Sequence, residues 1–152
     1  MTKRVLRTCG RSYTQEDLNY IGQEICKSSG VQFKCIGVDA WNRMLLLIAV
    51  KDGQDVKKLI PLSELRKYHL VSRVNEQPYF DKNGLCFYRD ELEEAAQYYA
   101  QAAYSKYVKF NISHKNYSLV VYGRVRIMPT KFEVSLYEID RYLKGVNGFN
   151  RR

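Results

Sequence analysis

The spacing of apolar residues along the chain predicts two long helices. Thr14 is suited to cap the first helix, with Glu16 and Asp17 near its positive end. Asp90 and Glu93 form a capping-box pattern at the start of the second. The apolar residues at helical spacing are Leu18, Ile21 and Ile25 in the first helix, and Leu92, Ala95, Ala96, Tyr99 and Ala103 in the second.

Runs of alternating or continuous apolar residues predict three strands after each helix. The first group comprises residues 31–38, 44–50 and 56–60, and the second comprises 107–113, 117–127 and 131–137. Residues 44–50 are apolar on both alternating faces, which predicts a central strand that is covered on both sides. Short helices are expected over residues 61–70 and 138–144.

The same order of elements therefore occurs twice, and a shift of 74 residues aligns the two copies without a gap. Nine of the 61 aligned pairs over residues 10–70 are identical, whereas chance gives about four on ordinary composition. We therefore predict an α+β fold of two similar halves, each a helix, three antiparallel strands and a short helix. The halves are expected to pack as a pseudo-dimer about a local two-fold axis.

The predicted domain organisation follows from these elements. The segments are 1–13 as a basic arm or short first strand, 14–70 as the first half, 71–84 as a linker or long loop, 85–145 as the second half and 146–152 as a frayed tail. The linker is predicted from its polar composition and from Pro78, Asn83 and Gly84.

Positive charge is concentrated at the two ends of the chain. The net charge is +9, made up of +4 over residues 1–13, −2 over 14–104 and +7 over 105–152. This asymmetry is typical of proteins whose partner is a polyanion, such as DNA, RNA or an acidic protein surface.

Period-two alternation predicts one basic, tyrosine-bearing face on the strands of the second half. On such a face, cations bind phosphates and aromatic rings stack on unpaired bases. The candidate nucleic-acid-binding residues are Tyr107, Lys109, Asn111, Tyr122, Arg124 and Arg126, with Lys3, Arg4, Arg7 and Arg11 as a supplementary arm.

Two other classes of function remain open. The first is an adaptor or inhibitor that binds a protein partner with an acidic surface. The second is a metal-dependent hydrolase or nuclease that uses Asp81 or the acidic residues of 90–94. The acidic residues at 90–94 are more simply explained as helix-capping residues. We therefore expect no catalytic residues, metal site or cofactor.

The remaining features indicate a cytoplasmic protein. No secretory signal pattern follows the basic start, and the longest apolar run, residues 44–50, is too short to span a membrane. Cys9, Cys26, Cys35 and Cys86 form no C-x-x-C pair and are expected to be reduced.

One short segment resembles a known family. Glu93-Glu94-Ala95-Ala96, followed by Tyr99 and by Ala102-Ala103, is similar to the helix of plant ethylene-response-type DNA-binding domains. That resemblance implies DNA binding. The strands that lead into the helix in that family have no counterpart in residues 71–84, which are polar.

Overall fold

The computed structural model describes residues 3–145, which divide into two compact units, residues 3–76 and 77–145. Both units combine helices with antiparallel sheets, so the predicted α+β class is confirmed. The predicted frayed tail, residues 146–152, lies outside the described residues.

The first unit is a hairpin followed by a helix and a three-stranded antiparallel sheet. Its elements are β1 (Arg4–Thr8), β2 (Arg11–Thr14), α1 (Gln15–Ser29), β3 (Gln32–Asp39), β4 (Met44–Lys51), β5 (Gln54–Pro61) and the 3-10 helices Leu62–Lys67 and Val71–Arg73. The central strand β4 buries Leu45, Leu47 and Ala49 on one face, while Leu46 and Ile48 on the other face are only half-buried. The prediction that this strand is covered on both sides is therefore wrong for the outer face.

The second unit repeats this order. Its elements are β6 (Phe80–Lys82), β7 (Leu85–Phe87), α2 (Arg89–Ala102), β8 (Lys106–Ser113), β9 (Ser118–Val125), β10 (Met128–Ser135) and α3 (Leu136–Gly145). Its core joins Leu92 and Ala96 of α2 to Leu119 and Val121 of β9 and to Ile139 of α3. Helix α2 begins two residues earlier than the capping-box pattern implied, and Glu91 accepts the hydrogen bond from the Tyr88 backbone N–H (3.0 Å).

Residues 4–14 form the β1–β2 hairpin, which corresponds to the strand alternative in the prediction for residues 1–13. Arg7 is only 1% exposed, and its guanidinium donates hydrogen bonds to the Ser12 hydroxyl (3.0 Å) and to the Gly10 carbonyl (3.1 Å). The hairpin thus uses Arg7 in its own internal hydrogen bonds.

The predicted linker, residues 71–84, is divided between the two units. Residues 71–73 form a 3-10 turn in the first unit, and Phe80 begins the β6–β7 hairpin of the second unit with its ring buried. Asn83 and Gly84 form the turn of that hairpin with left-handed φ angles of 53° and 80°. An Asn-Gly pair indicates a hairpin as well as a loop, and the three-residue strand β6 is too short to show periodicity.

The bounds of corresponding elements differ by the same offset that aligns the sequences. Adding 74 to the first and last residues of β3, β4 and β5 gives those of β8, β9 and β10. The same offset relates the starts of α1 and α2, and it relates the register shifts at Phe33/Cys35 and Tyr107/Lys109.

The buried carboxylate of Asp17 joins the start of α1 to a later turn of the first unit. It accepts hydrogen bonds from the backbone N–H groups of Thr14 and Ser72 (both 2.9 Å) and from their hydroxyls (3.0 and 2.7 Å). The Asp17 N–H in return donates to the Thr14 hydroxyl (3.2 Å).

Replacing this carboxylate is expected to destabilise the protein. Asp17→Ala leaves several buried donors without an acceptor, and we expect the free energy of unfolding to fall by roughly 3 kcal/mol. Glu16→Ala, at an exposed position in the same turn, is the control and should cost less than about 1 kcal/mol. Urea unfolding measures both variants, and equal losses would contradict the role given to Asp17.

Candidate nucleic-acid interface

The sheet of the second unit has one face toward α2 and one outer face, and β9 contributes alternate residues to each. Leu119 and Val121 are buried on the α2 side, so Tyr122 and Arg124 lie on the outer face. Tyr122 is paired with Lys109 of β8 and with Lys131 of β10. Three consecutive strands therefore place lysine, tyrosine and lysine in one row.

The two lysines of this row gather around the tyrosine ring. The ammonium nitrogen of Lys109 lies 5.2 Å from the centre of the Tyr122 ring, and that of Lys131 lies 5.8 Å from it. Both lysines are exposed, and Tyr122 is half-buried. An exposed cation–aromatic contact is worth about 0.5–1 kcal/mol, which favours conformations with the ammonium groups over the sheet.

A second row of positive charge lies next to the first. Lys106 of β8 is directly opposite Arg124 of β9, and both are exposed. The two rows are about 7 Å apart along the strands, and the outer strands are about 10 Å apart. We call Lys106, Lys109, Arg124 and Lys131 the cationic surface. Like charges directly opposite each other are unfavourable unless an anion screens them.

Two residues predicted for this face lie elsewhere. Tyr107 is paired with Gly123, and the β-bulge between Tyr107 and Lys109 turns the tyrosine to the α2 side. There it packs against the core, and burial, followed by the charge of Glu93, raises the pKa of its hydroxyl. A β-bulge breaks the period-two rule on which the prediction depended.

Arg126 lies beyond the end of β9, in the two-residue turn that leads to β10. Its backbone adopts a left-handed φ of 58° and its side chain is exposed. It therefore extends the basic region at the end of the hairpin and is not part of the sheet face. The prediction treated residues 117–127 as one strand and so missed the turn.

Asn111 does lie on the outer face, one row beyond Lys109 and Tyr122, and is exposed. Its side-chain oxygen accepts a hydrogen bond from the Ile112 backbone N–H (2.9 Å). In the same row Glu133 accepts hydrogen bonds from the Ser118 hydroxyl and from the Asn116 amide (3.3 Å). These bonds, together with the charge of Lys131, hold the pKa of Glu133 below its usual range.

The four predicted N-terminal cations belong to the first unit. Lys3 is exposed and Arg4 is half-buried. Arg11 donates hydrogen bonds to the carbonyls of Leu65 and Tyr68 and lies 4.8 Å from the centre of the Tyr13 ring. Arg7 and Arg11 thus stabilise the fold of that unit, and Arg7 is withdrawn as a contact residue because its guanidinium is buried.

Lys106 and Lys131 also lie on this face and are not among the predicted residues. Lys131 could have been found, because the inward positions of Phe132 and Val134 require the preceding lysine to face outward. Lys106 faces outward only because of the bulge that follows it, and no residue pattern signals that bulge.

Because Gly123 has no side chain, Ser105 and Lys106 can pack closely against it beside the cationic surface. A Cβ atom at this position would lie 2.3 Å from the Ser105 hydroxyl oxygen and 2.7 Å from the Lys106 carbonyl. An open cleft of about 390 Å³ adjoins this end of the sheet, lined by Val108, Tyr122, Gly123, Arg124, Ile127, Pro129 and Thr130.

The described residues hold no group of three or more His, Cys, Asp or Glu side chains that could bind a metal ion. Both histidines pack against aromatic rings, His69 against Tyr20 (4.8 Å between ring centres) and His114 against Phe80 (5.9 Å). Within residues 3–145, no helix has the length and apolar character needed to cross a membrane.

Comparisons of the chain with models of protein families, with curated proteins and with solved structures found no match.

The low pKa of Glu133 can be tested by NMR titration of its carboxyl carbon. Ser118→Ala removes a hydrogen bond to the ionised form, so the pKa should rise toward the ordinary value. A depressed folded-state pKa contributes stability that is present above the unfolded pKa and is lost as the pH falls through the folded one. Glu133→Gln should therefore lose less stability than the parent protein between pH 6 and pH 3. An unchanged Glu133 midpoint in Ser118→Ala would contradict the assignment.

Proposed function

We propose that the protein is a non-catalytic nucleic-acid-binding protein and that its second unit binds the phosphate backbone through the cationic surface. The observation that supports this most directly is the exposure of Lys106, Lys109, Arg124 and Lys131 in two adjacent rows of one sheet face. Cations placed in this way release counterions when they neutralise phosphates, which yields affinity that depends on salt and little on sequence.

The contacts of Tyr122 favour recognition of the nucleic-acid phosphate backbone over recognition of bases. Its ring already contacts two ammonium groups, so its role is to position cations. Tyr107, the other tyrosine predicted to stack on bases, lies on the α2 side of the sheet. The outer face is therefore better suited to phosphates than to unpaired bases.

We further propose that the two units arose by internal duplication. The shared 74-residue offset of strands, helix starts and register shifts supports this, together with the nine sequence identities. The pseudo-dimer arrangement of the two halves stays a prediction.

If the two units arose by duplication, only the second unit carries the cations that we propose bind phosphate. In the first unit the positions equivalent to Lys106, Lys109 and Arg124 are occupied by Gln32, Cys35 and Val50, and only Lys57 matches a cation, Lys131.

Charge reversal tests the proposed function. Against a fluorescent nucleic acid of mixed sequence, the parent protein should bind with a dissociation constant on the order of 1–10 µM at 50 mM salt. Lys109→Glu with Arg124→Glu should weaken binding at least tenfold. It should also reduce the slope of log affinity against log salt by about 2, because two phosphate contacts are lost.

The matched control is Lys82→Glu with Lys115→Glu, which changes the net charge equally at two exposed positions of the same unit outside the cationic surface. It should keep affinity within about threefold and leave most of the salt slope intact. Equal losses of affinity in the two double variants would mean that binding depends on net charge and not on the cationic surface. Absence of binding by the parent protein would reject the proposal and leave the acidic-protein partner as the alternative.

A further inference from the structure

The turn between β9 and β10 presents apolar side chains to solvent beside the cationic surface. We call Val125, Arg126, Ile127 and Met128 the hairpin tip. Ile127 is 92% exposed and Met128 is 66% exposed, and Val125 is also exposed. Val125 is paired with Met128, so Arg126 and Ile127 are the two turn residues.

Arg126 and Ile127 are not residues that favour a two-residue hairpin turn. Arg126 has a φ of 58°, a left-handed conformation that a long side chain adopts at a cost. The turn at the equivalent place in the first unit is Asp52-Gly53, with φ angles of 54° and 79°, and it uses residues that tolerate this conformation. The second unit therefore has an arginine at the left-handed turn position that an aspartate occupies in the first unit.

Ile127 is the tip residue that lies beside the cationic surface. It lines the same cleft as Arg124, Val108 and Pro129, whereas the Val125–Met128 pair follows the Arg124–Pro129 pair and so points to the α2 side of the sheet. A partner of this region must therefore offer negative charge close to an apolar surface. Duplex DNA does so where two base pairs unstack, because its phosphates then flank exposed apolar base faces.

The aliphatic character of the tip favours a duplex over a single strand. Unpaired bases are bound by stacking on aromatic rings, and Ile127 and Met128 have none. Aliphatic side chains such as isoleucine, leucine and methionine act as wedges between base pairs, entering from the minor groove and kinking the duplex.

We propose that Ile127 inserts between two base pairs of duplex DNA from the minor groove while Arg124 and Arg126 contact the flanking phosphates, so that binding bends the DNA. This inference depends on the proposed nucleic-acid binding and adds to it the form of the ligand and the way the ligand is deformed.

The test uses a 24-base-pair duplex with 2-aminopurine beside a central TA step, which unstacks readily, and a fluorophore pair at its ends. At 50 mM salt the full chain should raise the 2-aminopurine emission at least twofold and increase energy transfer between the ends. Ile127→Ser should remove both signals while affinity falls less than fivefold, because the cations remain. Val74→Ser, at another highly exposed aliphatic position, is the control and should behave as the parent protein.

Other outcomes separate the inference from the proposed function. Salt-dependent binding of the duplex without unstacking or bending would overturn the wedge and leave backbone binding intact. Tighter binding of a 24-nucleotide single strand than of the duplex would also overturn it. So would binding to phosphatidylserine vesicles that Ile127→Ser abolishes, if the duplex stays unbent. Binding to no nucleic acid would overturn both proposals.

Discussion

A single helix can cover only one face of a three-stranded sheet, and the organisation of each unit follows from this constraint. Helix α2 buries Leu119 and Val121 of the central strand β9 through Leu92 and Ala96. Of the alternate residues of β9, Ser118 and Val120 are also buried, whereas Tyr122 is half-buried and Arg124 is exposed. At the Tyr122–Arg124 end of the outer face, folding therefore does not require apolar residues.

The two units place different kinds of side chain on the outer face of the sheet. In the first unit the outer positions of β4 are occupied by aliphatic residues such as Leu46 and Ile48, which remain half-buried. In the second unit the positions equivalent to Ile48 and Val50 are Tyr122 and Arg124. The bounds of the strands are the same at an offset of 74 residues, so on this face the units differ in their side chains and not in the extent of the strands.

The sequence was sufficient for the class of fold and for most helices and strands, because burial on one face imposes periodicity on long elements. It was insufficient where one residue changes the geometry. The bulge before Lys109 moves Tyr107 to the helix side, and the turn at Arg126 ends β9 two residues early. Arg7 also could not be recognised as buried, since its hydrogen bonds to Ser12 and Gly10 exist only once the hairpin has formed.

The outer face of the second unit carries unfavourable interactions that its fold does not explain. Lys106 lies directly opposite Arg124, and Arg126 occupies a left-handed backbone position. Neither feature stabilises the isolated chain, and the Lys109–Tyr122–Lys131 row offsets only part of the repulsion between cations. A phosphate bound between the rows would turn this repulsion into attraction. Left-handed residues also occur elsewhere, as at Arg43 and Tyr117, so the opposed cations are the more distinctive cost of this surface. A local cost of that kind is one sign of a binding surface, because there selection acts on the complex as well as on the folded chain.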